Sequence, residues 1–210
     1  LPEGRVVVSQ NWDGYRDPVL SVVRIDALDG KPVATIVGYG THQIVLAHEN
    51  RLVSPDYPGH LKRVVEQAIS YEADYGLEGD FVLRFAALLH DIGKPNTRRL
   101  EPGGGVTFHQ HDLVGARLAK KRMQALRFDN DTIRDVSRLI ELHLRFFGYG
   151  DQAWSDSAVR RYVRDAGEQL TRLHALTRSD VTTRNQRKAD RLAHAYDDLE
   201  QRIATLQEQE

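Results

Sequence analysis

The 210-residue chain has no cysteine and only one methionine. Without a thiol, disulfides, thiolate metal sites and cysteine nucleophiles are excluded, so any metal must be held by histidine and carboxylate. Long apolar runs are also missing. The balance of 40% hydrophobic and 28% charged residues is that of a globular protein, and no run approaches the ~20 apolar residues of a bilayer span. Nor is one sign of charge in excess, since 29 Lys and Arg face 30 Asp and Glu. No basic, apolar opening stretch reads as a signal peptide. The cytoplasm is therefore the expected location, with no membrane partner. The chain opens on Leu1 rather than Met, from which we expect a processed chain or a fragment. What is abundant is histidine, at nine residues.

Two textures divide the chain. From Arg5 to about Asp56, β-branched and apolar runs at Val6 to Val8, Val19 to Ile25 and Val33 to Val37 predict strands. Asp29-Gly30 predicts a hairpin turn, because both residues tolerate the positive φ of a two-residue connection. A lone hairpin is only marginally stable, so this β-rich segment, 1–56, is expected to need either further strands or a partner surface. Beyond it, apolar residues recur at three- and four-residue spacing with Gly or Pro between segments. This pattern predicts helices near 60–75, 79–91, 110–126, 130–145, 156–166, 168–180 and 185–208. The last carries a seam of Ala189, Leu192, Tyr196, Leu199, Ile203 and Leu206, which is expected to dock on its own domain rather than form a coiled coil. The fold class is thus mainly α, a helical bundle over 57–210 preceded by a short hairpin-containing segment.

Charge is uneven locally. Between Arg84 and Arg127 nine basic residues face three acidic ones, and Arg172, Arg178, Arg184, Arg187, Lys188 and Arg191 form a second cluster. Such clusters can bind the phosphates of a nucleotide or RNA, or they can be ordinary solvated helix faces.

The sharpest motif is Leu88-Leu89-His90-Asp91-Ile92-Gly93-Lys94-Pro95, in which an apolar helix ends on two potential metal ligands before Gly93 and Pro95 stop it. Adjacent helical residues point ~100° apart, so the pair can share an ion only at the helix end. His60, His111, His143 and Asp180 also fall near predicted helix ends or apolar stripes, where mutual coordination would offset the cost of burying them. His48, His174 and His194 have no such setting and are expected to be surface or packing residues. His109 is an alternative to His111.

The stretch from Arg84 to Pro95, then Gly103 to His111 with Gly115-Ala116, Glu141 to Arg145 and Leu176 to Asn185, resembles the HD domain of bacterial CCA-adding tRNA nucleotidyltransferases, especially the actinobacterial kind, over about 60–210. The resemblance implies an all-helical HD-domain bundle in which His60, His90, Asp91 and Asp180 are metal ligands and His111 and His143 serve a second ion. It implies one or two divalent ions; Mn, Ni, Mg, Fe and Zn are not distinguishable from the ligand types. Two ions ~3.5–4 Å apart suit phosphate-ester cleavage. Asp91 and Lys94 are the candidate catalytic residues, Lys94 by neutralising phosphoryl charge. Arg98 and Arg99 are candidates for substrate binding.

The expected function is a metal-dependent phosphohydrolase acting on a phosphomonoester or 2′,3′-cyclic phosphate of a nucleotide or RNA. The alternative is a non-catalytic RNA- or tRNA-binding module with a vestigial metal site. The nucleotidyltransferase head of that family has no counterpart here. Residues 11–59 instead resemble a piece of a neutral ceramidase-like amidohydrolase, through Asn11 to Gly14, Asp17-Pro18, Thr41-His42 and Asn50 to Gly59. That resemblance matches His42 to one zinc ligand. One imidazole cannot supply the three or four donors zinc requires, so no zinc site is expected there.

Overall fold

A computed structural model of the chain describes residues 20–26, 32–39, 56–147, 149, 154–181, 183 and 185–209, with side chains from residue 61 onward. The chain divides into two compact units, Leu1–Asp56 and Tyr57–Glu210.

In the first unit, β1 (Leu20–Asp26) pairs antiparallel with β2 (Pro32–Tyr39). The register runs from Leu20 opposite Tyr39 to Ile25 opposite Ala34, then slips so that Asp26 faces Pro32. Proline has no N–H for a ladder, and the start of a strand beside an irregularity is where a sheet tolerates it. The hairpin expected about Asp29-Gly30 is thus present in its two strands. Its turn residues, the strand expected at Val6 to Val8, and His42 and His48 lie outside the described residues.

The second unit is helical. Its elements are α1 (Asp56–Glu72), α2 (Phe81–Leu89), the single turn α3 (Lys94–Thr97), the ribbon β3 (Arg99–Leu100) and β4 (Val106–Thr107), α4 (His111–Ala125), α5 (Asn130–Leu142), α6 (Asp156–Ala166), α7 (Leu170–Ser179) and α8 (Gln186–Gln207). Among the described residues, four helix starts carry a side-chain cap. Asp80 accepts from the Leu83 N–H at 2.7 Å, Asp129 from Thr132 at 2.8 Å, Ser155 from Ala158 at 3.3 Å and Asn185 from Lys188 at 3.1 Å, each satisfying a donor with no intrahelical partner. The start of α1 differs from expectation: the helix begins at Asp56, so His60 lies inside it rather than opening it. Pro58 did not delay the start, because in a first turn its missing N–H costs no bond.

The core forms where α2 packs on α5 and α7, with α4 against α5. Leu83, Phe85, Ala86, Ala87 and Leu89 of α2 meet Ile133, Val136, Leu139, Ile140 and Leu142 of α5, and Leu173, Ala175 and Leu176 of α7, all buried. Along α8, Tyr196, Leu199, Ile203 and Leu206 are buried and the helix packs on α6 and α7, so the seam docks on its own unit.

Two ion pairs tie this core together. Glu72, 3% exposed, accepts from Arg84 Nε at 2.6 Å, Arg84 Nη2 at 2.7 Å and the Gly79 N–H at 2.8 Å. Asp80 accepts from Arg172 Nε at 2.8 Å. Arg84 and Arg172, counted above among phosphate-binding candidates, are therefore structural cations. A buried carboxylate is tolerable only when so paired.

His174 is buried on α7, stacked on Tyr162 with an interplanar angle of 7°. Its Nδ1 lies 3.4 Å from Glu200 Oε1, and its Nε2 has no hydrogen-bond partner. Burial holds its pKa below the ordinary imidazole value, with Glu200 opposing and Arg178 adding to the effect. A depressed histidine pKa stabilises the fold above the unfolded value of ~6.5, and that contribution is lost as pH falls through the folded value. We expect the melting temperature to fall on acidification below pH ~6.5, and the fall to be shallower in His174→Leu. Parallel melting curves across pH for the two proteins would remove His174 as a cause.

Candidate metal centre

Four helix ends converge. The apolar face of α2 is held in the core up to Leu89, and the chain turns immediately after it, with His90 as the C-cap residue and Asp91 in the turn. His143 is likewise the C-cap residue of α5 and Asp180 that of α7. His111 is the first residue of α4, following Gln110 in a left-handed conformation (φ 62°). Helix C-termini carry partial negative charge, so three of them directed at one place favour a cation.

Donor atoms meet there at short range. His90 Nε2 lies 3.2 Å from Asp180 Oδ1 and 3.4 Å from Asp91 Oδ2. His111 Nε2 lies 3.3 Å from Asp91 Oδ1 and 3.3 Å from His143 Nε2. Two triads result, His90–Asp91–Asp180 and Asp91–His111–His143, each with its donor atoms within 4.8 Å of one another. Asp91 belongs to both.

Each of the three histidines is oriented for ligation by a backbone carbonyl three residues before it. Nδ1 of His90 donates to the Ala87 carbonyl at 2.8 Å, that of His111 to Phe108 at 2.8 Å and that of His143 to Ile140 at 2.6 Å. A carbonyl only accepts, so the proton sits on Nδ1 and the Nε2 lone pair is directed inward. A hydrogen bond from Nδ1 to a backbone carbonyl fixes the tautomer of a metal-binding imidazole. Two Nε2 atoms 3.3 Å apart match neighbouring ligands about 3.0–3.4 Å apart on an ion with ~2.1 Å metal–nitrogen bonds. The residues therefore fit a divalent ion.

Electrostatics agree. Burial opposes a charge on His90, yet hydrogen bonds and charge from Asp180 and Asp91 prevail and push its pKa up to about 10. Asp91 is held well below the carboxylate range because bonds from His111, His90 and Lys94 outweigh its desolvation. His111 is raised, chiefly by Asp91. His143, buried without a carboxylate in contact, is pushed down to about 4 by desolvation. The carboxylates thus favour positive charge at this place, and a metal ion that took the place of the protons on His90 and His111 would meet the same field with the Nε2 lone pairs free to bind it.

Of the residues expected from sequence, His90, Asp91, His111, His143 and Asp180 are brought together, and Lys94 joins them through Nζ, 2.6 Å from Asp91 Oδ2. The side chain of His60 lies outside the described residues. Arg98 and Arg99 are exposed, on the turn after α3 and on β3. His109 and His194 are exposed, and His174 is a packing residue. Arg178, counted in the second basic cluster, is bonded to Asp197 and Glu200. Sequence reasoning missed the carbonyls that set the tautomers. It also missed a backbone crossing at Gly93 and Gly115, whose only signal was a glycine in each segment.

Fold and site together define a helical domain that gathers His and Asp donors from helix ends. The HD domain model matches residues 57–197, well over half of the chain, and the chain belongs to the HD domain family. It is 33% identical over 104 residues to the A-adding tRNA nucleotidyltransferase of Deinococcus radiodurans, covering 49% of this chain and 23% of that protein. It is 40% identical over 68 residues to the CC-adding tRNA nucleotidyltransferase of Thermus thermophilus, covering 32% and 16%. A third similarity, 28% over 87 residues, is to neutral ceramidase A of Dictyostelium discoideum, covering 41% and 12%. Each match spans less than a quarter of the relative. No helix among the described residues is long and apolar enough to cross a membrane.

Proposed function

We propose that the helical unit is a metal-dependent phosphohydrolase acting on a phosphomonoester or a 2′,3′-cyclic phosphate at a nucleotide or RNA end. The observation that carries this reading is the pair of donor triads sharing Asp91, with Lys94 beside it. On this reading the chain derives from a CCA-adding type of tRNA nucleotidyltransferase of the actinobacterial kind, works in the cytoplasm, and has a separate β-rich segment over 1–56. His60, His90, Asp91, His111, His143 and Asp180 hold the metal. A divalent ion bound there supplies Lewis-acid polarisation of the phosphoryl group and lowers the pKa of a water.

The chain's own groups supply the rest. Asp91 offers one oxygen to each triad. Lys94, 2.6 Å from Asp91 and 5.8 Å from the centre of the Phe108 ring, is a fixed cation that neutralises charge growing on phosphoryl oxygens. Arg98 and Arg99, exposed after α3, hold the phosphate or the neighbouring nucleotide.

The purified chain is expected to hydrolyse an aryl phosphate or a 2′,3′-cyclic nucleotide with Mn²⁺, Ni²⁺ or Mg²⁺, and to lose that activity in EDTA. Lys94→Gln should lower kcat/KM by about 100-fold while metal content is unchanged, the scale seen when one oxyanion donor is removed. Equal rates with and without metal, in both proteins, would sink the reading.

The names of the two nucleotidyltransferase relatives favour a second reading, a non-catalytic module that binds tRNA. It requires tRNA binding that weakens with salt, survives loss of Asp91 and is accompanied by no hydrolysis.

A further inference from the structure

Asp180 closes α7, and the residues around it are committed to α8. Glu200 receives the Tyr75 hydroxyl at 2.5 Å and Arg178 Nε at 3.3 Å on one oxygen, and Arg178 Nη2 at 3.1 Å on the other. Arg178 Nε also donates to the Tyr75 hydroxyl at 2.7 Å, and Nη2 to Asp197 at 2.7 Å. One residue further back, the Thr177 carbonyl accepts the Tyr196 hydroxyl at 3.0 Å. The last turn of α7 is therefore clamped from α8 and from the chain following α1. Glu200 lies just past the span matched by the family model.

We infer that the Tyr75–Arg178–Glu200 clamp is a positioning device for Asp180, setting metal affinity at the His90–Asp91–Asp180 triad and leaving the Asp91–His111–His143 triad alone. The inference rests on the metal reading above. Its physical basis is that a helix C-terminus frays unless its side chains are anchored. Asp180 must hold its carboxylate 3.2 Å from His90 Nε2 while lying at that frayed end. The other triad draws on α2, α4 and α5, whose ends the clamp does not bond. None of Tyr75, Arg178 or Glu200 belongs to either triad, so they act through Asp180.

The test is a calorimetric titration of Mn²⁺ or Co²⁺ alone into the full chain in two backgrounds. His143→Ala leaves the Asp180 triad intact, and His90→Ala leaves the other. Glu200→Ala is expected to weaken binding about tenfold in the first background and by less than twofold in the second, with partial recovery in Glu200→Gln. Circular dichroism checks the fold. Should Glu200→Ala fail to fold, Tyr75→Phe, which removes one hydroxyl, is expected to give a loss of about threefold in the first background only. Equal losses in both backgrounds, or no loss in either, overturn the inference while leaving the metal reading standing. A wild-type chain that binds neither ion overturns both.

Discussion

Asp91→Ala is expected to abolish metal-dependent hydrolysis and to lower metal affinity at both triads by more than about 100-fold, because loss of a group that only orients a ligand already costs about 10–100-fold. The reason is the division of its two oxygens. Oδ1 faces His111 of one triad at 3.3 Å, and Oδ2 faces His90 of the other at 3.4 Å. Among the described residues no other side chain belongs to both sets. Removing the carboxylate also leaves Lys94 without the partner 2.6 Å away and leaves His90 with Asp180 as its remaining anion. Asp180→Ala, by contrast, removes a donor from one triad only. Its expected effect is the loss of one metal equivalent with the second retained. Metal stoichiometry by plasma emission after dialysis, with circular dichroism as a fold check, separates the two variants. Unchanged stoichiometry in Asp91→Ala would falsify the assignment of Asp91 as the shared ligand.

How much of this was legible beforehand depends on range. The seam of α8 was readable because burial at three- and four-residue spacing is a local property. The His90-Asp91 pair was readable because an apolar helix stopped by Gly93 leaves its last polar residues at the end of the helix, within reach of other elements. Arg84, Arg172 and Arg178, whose clusters the sequence leaves open between phosphate binding and ordinary solvated faces, are instead paired with carboxylates of the chain, and the reason this is not legible is physical. Periodicity shows which face of a helix is covered, but not which distant carboxylate covers it. Arg172 meets Asp80 across 92 residues, and Arg178 meets Tyr75 across 103. The choice of His111 over His109 rests in the sequence on the expected helix start alone, and the structure supplies its physical reason. Only His111 begins a helix with its Nδ1 on a carbonyl three residues back, whereas His109 remains exposed.

The same limit applies to Gly93, whose role the sequence presented only as a helix stop. Its φ of −78° is open to any residue, so conformational freedom is not what requires glycine. Space is. A Cβ placed there would lie 2.1 Å from the His111 carbonyl oxygen and 2.7 Å from the Gly115 nitrogen, both backbone atoms that cannot rotate aside. Gly93→Ala must therefore move α4 as a body, and we expect it to cost ~4 kcal/mol or more, the range reserved for severe packing faults. Gly115→Ala is the control. Its Cβ would meet Gly93 N and Ile140 Cγ2 at 3.3 Å, a misfit that small shifts absorb, for an expected cost of ~1–2 kcal/mol. Urea unfolding of both variants measures the difference, and a Gly93→Ala chain within ~1 kcal/mol of wild type would refute the close crossing. Because the atom struck is the carbonyl of His111 itself, moving it also disturbs the 3.3 Å approach of His111 to Asp91. A Gly93→Ala protein that still folds should bind metal more weakly at the Asp91–His111–His143 triad, so one methyl group links the stability of the helix crossing to the geometry of the site.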